Sequence, residues 1–172
     1  MRIPVINGTK TNSKVFNGPV SIETIRKYAS DYNIMYVDGD GDGKICVFVD
    51  GDTTRIYGRM VEFDTAPENE YYSMLAGLSY IRHYHPGKWL ILSDNQMVVG
   101  QLGLMWKISK QKFHDIKHEI YTILRKSDDL DIKIGWIRGK SNKASCYLKS
   151  IEFDYMPEYC VEDIICGNLY IT

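Results

Sequence analysis

The length, composition and charge of the chain favour one folded domain and argue against several classes of protein. Its 172 residues are 44% hydrophobic and 12% aromatic, which is enough for one packed core. The 21 Lys and Arg residues nearly balance the 22 Asp and Glu residues. The chain as a whole is therefore not of the strongly basic kind that binds nucleic acid along its entire surface, and any such binding must come from local patches.

The apolar and cysteine patterns favour a cytoplasmic protein. No apolar run approaches the ~18 residues that a membrane-spanning helix needs. The four cysteines are scattered without a CxxC pair, and the sequence opens without the pattern of a secretory leader. We therefore expect a soluble protein with reduced thiols and no membrane partner.

The first part of the chain predicts an irregular arm followed by one short helix. Residues 1–20 are rich in Asn, Gly, Thr and Pro and show no sustained periodicity. Ser21 is a suitable N-cap, and the apolar residues that follow share one face, which predicts a helix over 22–31. We assign residues 1–32 to this N-terminal arm and short helix.

Three consecutive strands are predicted next. The runs 33–38, 44–50 and 53–63 are rich in β-branched and aromatic residues. The breaks between them, GDGDG and GD, have the length and composition of hairpin turns. These three strands should therefore be antiparallel to one another.

The remaining segments alternate between helices and strands. Apolar stripes with a helical period predict helices over 70–84, 95–106, 110–126 and 143–151. Bounded apolar runs predict strands over 88–94 and 131–139. The order βββαβααβα predicts an α/β fold with a mixed five-stranded sheet and helices packed on it. Residues 33–151 should form this domain, with 152–172 as a C-terminal extension packed on it.

Three acidic residues stand at the ends of predicted elements. Asp38 closes the first strand, Glu70 opens the first long helix, and Asp94 closes the fourth strand. Reactive groups collect at the carboxyl ends of parallel strands, so Asp38 and Asp94 are adjacent if the first and fourth strands are neighbours. Glu70 would then lie within reach. Three convergent carboxylates form a hard oxygen site suited to Mg²⁺ or Mn²⁺.

Segments of the sequence resemble the ribonuclease H family. EYYSMLAGL at 70–78 is similar to the family's EYxALxxGL helix, and SDNQMVVGQLGLMWK at 93–107 is similar to its DSQLVVNQLxGxWK segment. GWIRGKSNKASCYL at 135–148 resembles the closing stretch WVRGHxxNxxADxLA less closely. The resemblance implies a ribonuclease H-like fold and two-metal hydrolysis of phosphodiester bonds, with Asp38, Glu70 and Asp94 as catalytic metal ligands. It also implies RNA paired to DNA as substrate.

The sequence DGDGDG at 38–43 admits more than one interpretation. A calcium-binding EF-hand loop that starts at Asp38 would need Glu at its twelfth position, where Val49 stands, and its flanks are predicted strands. A hairpin turn is compatible with a catalytic Asp38, and Asp40 could then add a further carboxylate to the metal site. Asp50 also follows a strand, but only one strand separates it from Glu70, whereas the family has two, so we choose Asp38.

The sequence departs from the family pattern at several positions. Cys146 stands where the family has its fourth carboxylate, and Lys140 stands where it has a mobile His. Residues 65–67 read TAP in place of TNN, whose Asn side chains contact nucleic acid in the family. Because the fourth ligand is missing, the alternative to a nuclease is an inactive ribonuclease H-like module that binds nucleic acid or protein.

Basic and aromatic residues predict a groove for a phosphate backbone. The residues assigned to it are Trp106, Lys107, Lys110, Lys112, Lys117, Arg138, Lys140 and Lys143. A solvated charged face is the alternative for these residues. His114 and His118 have the i, i+4 spacing of metal ligands, but the sequence lacks HExxH, so an exposed helix face is favoured there.

Overall fold

The chain folds around a six-stranded mixed sheet with helices on both faces, and the computed structural model describes residues 2–6 and 15–172. The helices are α1 (Ile22–Ala29), α2 (Ala66–Tyr84), α3 (Gln96–Gly103), α4 (Gln111–Arg125), α5 (Lys143–Ser150) and α6 (Val161–Ile165), with a 3₁₀ turn at Gly139–Ser141. The strands are β1 (Asn33–Gly39), β2 (Lys44–Val49), β3 (Arg55–Met60), β4 (Lys88–Ser93), β5 (Asp131–Trp136) and β6 (Glu158–Tyr159).

The strand order in the sheet is β5-β4-β1-β2-β3-β6. The strands β1, β2 and β3 are antiparallel neighbours, whereas β4 runs parallel to β1 and β5 runs parallel to β4. The predicted α/β fold and its three antiparallel strands are confirmed. The predicted count of five strands is one too few, because β6 adds parallel to the outer edge of β3. A two-residue strand is too short to produce a periodic apolar pattern.

Two predicted helix boundaries differ from the observed ones by three or four residues, for local reasons. The helix predicted over 70–84 begins at Ala66, because Glu68 accepts hydrogen bonds from the backbone N–H groups of Asp64 and Thr65, both at 3.1 Å, and so caps an earlier start. The helix predicted over 95–106 ends at Gly103, and Met105 then adopts a left-handed backbone with φ of 60°.

The sheet has an apolar core on each face. Met35 and Val37 of β1 face the larger core, which α2 and α4 cover, while Ile34 and Tyr36 face the smaller core under α1 and α5. Gly77 lets α2 approach β1 closely, since a Cβ at this position would lie 2.7 Å from the sulfur of Met35. This close packing places the start of α2 at the carboxyl end of β1.

The terminal segments lie along the two edges of the sheet. Ile134 donates its N–H to Pro4 O and Ile6 donates to Ile134 O, both at 2.9 Å, so the first residues follow β5. Arg55 and Thr172 exchange backbone hydrogen bonds of 2.9 Å at the β3 edge, where β6 also pairs. Both edges are thereby covered, which limits pairing with other chains. Across 2–6 and 15–172, no helix combines the length and apolar character needed to span a bilayer.

Candidate metal centre

Three carboxylates meet at the carboxyl ends of β1 and β4. One oxygen atom from each of Asp38, Glu70 and Asp94 lies within 4.8 Å of the others. Oxygens bound at about 2.0–2.6 Å to one divalent ion are themselves separated by up to about 4–5 Å, so the spacing fits a shared cation. The structure brings together the three acids that the sequence singled out, and their catalytic role stays a prediction.

The two aspartates are neighbours because their strands pair in parallel. Val37 of β1 lies opposite Ser93 of β4 in the register, so the residue that follows each one emerges at the same edge of the sheet. Asp38 is buried, with 8% of its surface exposed, and Asp94 is half-buried. Parallel pairing of the first and fourth strands thus creates the acidic pair that the sequence anticipated.

Gly39 allows Glu70 to join them. A Cβ at Gly39 would lie 2.2 Å from the backbone oxygen of Asn69 and 2.7 Å from the backbone nitrogen of Glu70. No residue with a side chain fits there unless α2 moves away from β1. Asn69 also donates from Nδ2 to Asp40 O at 2.8 Å, which ties the helix to the chain just after β1. These contacts hold the Glu70 side chain above Asp38.

Asn142 links the acidic group to α5. Its Nδ2 donates to Val37 O at 2.9 Å and to Asp94 Oδ2 at 3.2 Å, and its Oδ1 accepts from the N–H of Ala144 at 3.0 Å. Asn142 is fully buried. The residue therefore orients the Asp94 carboxylate and caps α5 at once. Our sequence reasoning gave Asn142 no role, although it occupies the Asn position of the NxxA stretch in the family resemblance.

Burial and mutual repulsion disfavour the charged forms of the three carboxylates. Burial raises the pKa of Asp38 above its ordinary value, and the charge of Asp94 raises it further. Burial also raises the pKa of Glu70, with the charges of both aspartates adding to it. For Asp94, burial raises the pKa while the hydrogen bond from Asn142 opposes the increase.

One buried atom of the site lacks a hydrogen bond. Glu70 Oε2 has no partner among the described residues. A buried acceptor of this kind costs about 1–3 kcal/mol if it stays unsatisfied. A divalent cation bound by the three carboxylates would satisfy this oxygen and offset the repulsion, so the residues present fit Mg²⁺ or Mn²⁺.

No fourth acid joins the group in the part of the chain that the structure describes. Cys146, at the position of the family's fourth carboxylate, is an exposed free thiol on α5. Lys149 lies one turn further along α5, and its positive charge lowers the pKa of Asp38 and of Asp94, against the effect of burial. The side of the site that α5 faces therefore carries a thiol and a cation instead of a carboxylate.

The DGDGDG segment forms a hairpin turn. Asp40 Oδ1 accepts the backbone N–H groups of Asp42 and Lys44, both at 2.9 Å, and Gly43 has φ of +86°. The EF-hand interpretation is wrong, because strands β1 and β2 flank the segment where helices are required. Asp40 is not among the convergent carboxylates, since its side chain is engaged in the turn.

Asp50 lies at the other end of β1 from Asp38. Its N–H donates to Ile34 O at 2.9 Å, near the start of that strand, and its carboxylate accepts from Lys143 Nζ at 2.7 Å. The choice of Asp38 over Asp50 as the strand-end acid therefore agrees with the strand positions.

The predicted basic groove separates into two groups of residues. Near the start of α4, Lys107 and Lys110 are exposed, whereas Lys112 lies 3.6 Å from Asp64 and 3.4 Å from buried Glu68. The second group, at 138–143, lines a cavity together with the start of α1. Binding of nucleic acid by either group stays a prediction.

Three further side chains assigned to binding or metal ligation are engaged within the protein. The ring of Trp106 packs on Gly100. Lys117 Nζ donates to Gln101 O at 3.0 Å. His114 Nε2 lies 2.9 Å from Ile108 O. His114 and His118 are both exposed on α4, as expected for a helix face rather than a metal site.

Solved ribonuclease H structures share this fold, although neither a protein-family model nor a curated protein sequence matches the chain. RNase H1 from the halophilic archaeon Halobacterium salinarum NRC-1 is 18% identical with a TM-score of 0.59, covering 68% of this chain and 93% of that one. LC11-RNase H1 in complex with RNA/DNA hybrid is 16% identical with a TM-score of 0.59, covering 67% and 92%. The N-terminal RNase H domain of Rv2228c from Mycobacterium tuberculosis, a fusion with maltose binding protein, is 18% identical with a TM-score of 0.51, covering 65% and 86%.

At these identities the likeness establishes the fold. The chain has a ribonuclease H-like fold, and the fold predicted from its motifs is confirmed.

Replacing Gly39 with Ala should destabilise the protein and displace Glu70. The added Cβ meets rigid backbone at 2.2 Å, and relief of such overpacking costs about 1–3 kcal/mol. Thermal unfolding checks the stability change. Gly41→Ala in the same hairpin is the matched control, since its Cβ would lie 3.9 Å from Ala66 and its stability should change by less than about 0.5 kcal/mol. Equal stability of the two variants would contradict the proposed close contact.

Asp94→Asn should stabilise the metal-free protein at neutral pH, because it removes a half-buried carboxylate whose charge raises the pKa of Asp38 and of Glu70. Carboxylates with a raised folded pKa bind more protons in the native state, so the wild-type free energy of unfolding falls as pH rises above about 4. The advantage of Asp94→Asn should therefore grow with pH. Millimolar Mg²⁺ or Mn²⁺ should raise the unfolding temperature of wild type and not of the variant. A metal effect that is the same in both proteins would contradict the site.

Proposed function

We propose that the chain is a divalent-metal-dependent nuclease that hydrolyses the RNA strand of RNA/DNA hybrids. The observation that carries this proposal is the convergence of buried Asp38 with half-buried Glu70 and Asp94, with one Glu70 oxygen left without a partner. Gathering three acids in this way is unfavourable for stability, and a bound cation would offset that cost and give the arrangement a function.

The residues of the site have separate tasks in this proposal. Asp38, Glu70 and Asp94 hold the divalent ions, which supply an activated water and charge stabilisation for the leaving oxygen. Asn142 keeps the Asp94 carboxylate oriented through its hydrogen bond of 3.2 Å. Gly39 keeps Glu70 against Asp38 by allowing α2 to approach. Each contact reduces the reorganisation needed when the substrate phosphate arrives.

The choice of substrate rests on the fold and on the charges beside the site. A neighbour of the same fold, LC11-RNase H1, is in complex with an RNA/DNA hybrid. Arg138 and Lys140 are exposed on the segment that follows β5, and a Cβ at Gly139 between them would lie 3.5 Å from Asp94 Oδ2. This basic segment therefore adjoins Asp94, and its two cations would attract the phosphates of a strand that binds there.

A ribonuclease H-like binding module without activity is the second candidate, and α5 carries the observation that favours it. The position of the family's fourth carboxylate is the exposed thiol of Cys146. Lys149 adds a positive charge that acts on Asp38 and Asp94. Both features weaken retention of a second cation, so one ion should bind firmly and the other weakly.

Cleavage of labelled substrates tests the nuclease directly. Wild type should cut the RNA strand of a hybrid in the presence of Mg²⁺ or Mn²⁺ and leave duplex DNA intact. Asp94→Asn should reduce cleavage below detection, because it removes one of three ligands. Asp42→Asn, on the exposed part of the neighbouring hairpin, is the control and should retain full activity. Hybrid binding without cleavage under every metal condition would favour the inactive module.

Replacing Cys146 with Asp should raise the cleavage rate and lower the metal concentration that half-saturates it. The new carboxylate would supply a hard oxygen ligand on α5, which a thiol cannot offer to Mg²⁺. Wild type should accordingly favour Mn²⁺, which tolerates softer ligands, and the preference should weaken in the variant.

Cys146→Ser is the control for this substitution, since it removes the thiol without adding charge, and its metal titration should match that of wild type. A half-saturating metal concentration that is unchanged in Cys146→Asp would show that α5 does not contribute to the second cation site.

A further inference from the structure

A cavity of about 650 Å³ lies on the sheet face that carries α1. One wall is the start of α1 with the residues that precede it, and the opposite wall is the segment 138–143. Tyr36 of β1 and Asp50 complete the lining. Its volume is typical of sites for small ligands, which occupy about 300–1,000 Å³.

The cavity carries an excess of positive charge. Four cationic side chains line it, Arg26, Arg138, Lys140 and Lys143, against one carboxylate, Asp50. Lys143 and Asp50 neutralise each other at 2.7 Å. Within 2–6 and 15–172, no carboxylate lies within ion-pair distance of the other three cations. Residues 1 and 7–14 contain no Asp or Glu, so they cannot neutralise these charges either.

The wall formed by α1 is largely apolar. Val20, Ile22 and Ile25 contribute to it, and Ile22 is 56% exposed although it is a large apolar side chain. A phosphate alone would gain nothing from this wall. A nucleotide would use both walls, because its phosphate pairs with the cations and its sugar and base cover apolar surface.

The cavity and the metal centre lie on two sides of one chain segment. Gly139 approaches Asp94, and Asn142 donates to Asp94 Oδ2 at 3.2 Å, while the next residue, Lys143, faces the cavity. A strand whose phosphate lies at the carboxylates would therefore meet the cavity on the other side of this segment.

We propose that this cavity binds a nucleotide of the substrate strand next to the cleaved bond, with its phosphate on Arg26, Arg138 and Lys140. The inference rests on the proposed function for the identity of the strand. It adds a role for α1, which lies outside the part of the sequence that resembles the ribonuclease H family. Arg26 is the decisive residue, since it reaches the cavity from that helix.

Binding of a short fluorescein-labelled RNA/DNA hybrid in EDTA tests the proposal without requiring cleavage. Arg26→Glu should weaken binding about tenfold and reduce the slope of log K against log salt by about one. Lys27→Glu is the matched control, because it makes the same charge change on the same helix at a residue that does not line the cavity, and it should weaken binding less than about twofold. Arg26→Gln removes the positive charge without introducing a negative one. Its unfolding temperature shows whether weaker binding results from the lost charge or from a destabilised fold.

Three outcomes would overturn the proposal. If Arg26→Glu and Lys27→Glu weaken hybrid binding equally, α1 contributes only non-specific electrostatic attraction to the hybrid. Unchanged hybrid binding in Arg26→Glu and Arg26→Gln would show that the cavity is not used. Binding of adenosine monophosphate that depends on Arg26, without any such dependence for the hybrid, would show a site for free nucleotides rather than for a strand.

The binding readout also separates this proposal from the nuclease. If no cleavage occurs with any metal but hybrid binding depends on Arg26 and not on Lys27, the nuclease fails and the cavity stands. If cleavage occurs and requires Asp94 while binding is indifferent to Arg26, the nuclease stands and the cavity fails. Asp94→Asn should retain the Arg26 dependence in EDTA, since the cavity does not use the metal.

Discussion

The contact between Gly39 and the backbone of Asn69 is the constraint on which the acidic site depends. It joins the end of β1 to the first turns of α2 at a distance that excludes any Cβ. Without it, Asp38 and Asp94 would still be neighbours through strand pairing, but Glu70 would stand away from them. The site is thus assembled from one sheet register and one helix approach, and the second is the more easily disturbed by a single added methyl group.

Asn142 performs a corresponding task on the other side. By donating to Val37 O and Asp94 Oδ2 while capping α5, it fixes the segment that separates the carboxylates from the basic cavity. The position of the cavity cations Arg138 and Lys140 therefore depends on the same buried amide that orients Asp94. Loss of this residue would affect the orientation of Asp94 and the position of the basic segment together, because both depend on the start of α5.

The sequence predicted the fold and the acids well, for a physical reason. Asp38, Glu70 and Asp94 stand at element ends, and element ends are where hydrophobic periodicity stops, so the pattern that locates the strands also locates the acids. Gly39 and Asn142 act through contacts with distant parts of the chain, and no local pattern reports such contacts. Asp40 shows the opposite case: it is close to Asp38 in sequence, but its carboxylate accepts the N–H groups of its own hairpin.

The net charge of the chain is close to zero, but the structure separates the positive and negative side chains in space. Three acids gather at the carboxyl ends of β1 and β4, and three cations without ion partners in the described chain, Arg26, Arg138 and Lys140, line the cavity. The two groups do not neutralise each other directly, since Asn142, rather than a basic side chain, contacts Asp94. A ligand that carries phosphate and is accompanied by a divalent cation complements both groups at once. Neither phosphate nor metal alone would do so, which agrees with the proposal that one nucleic-acid strand contacts both groups.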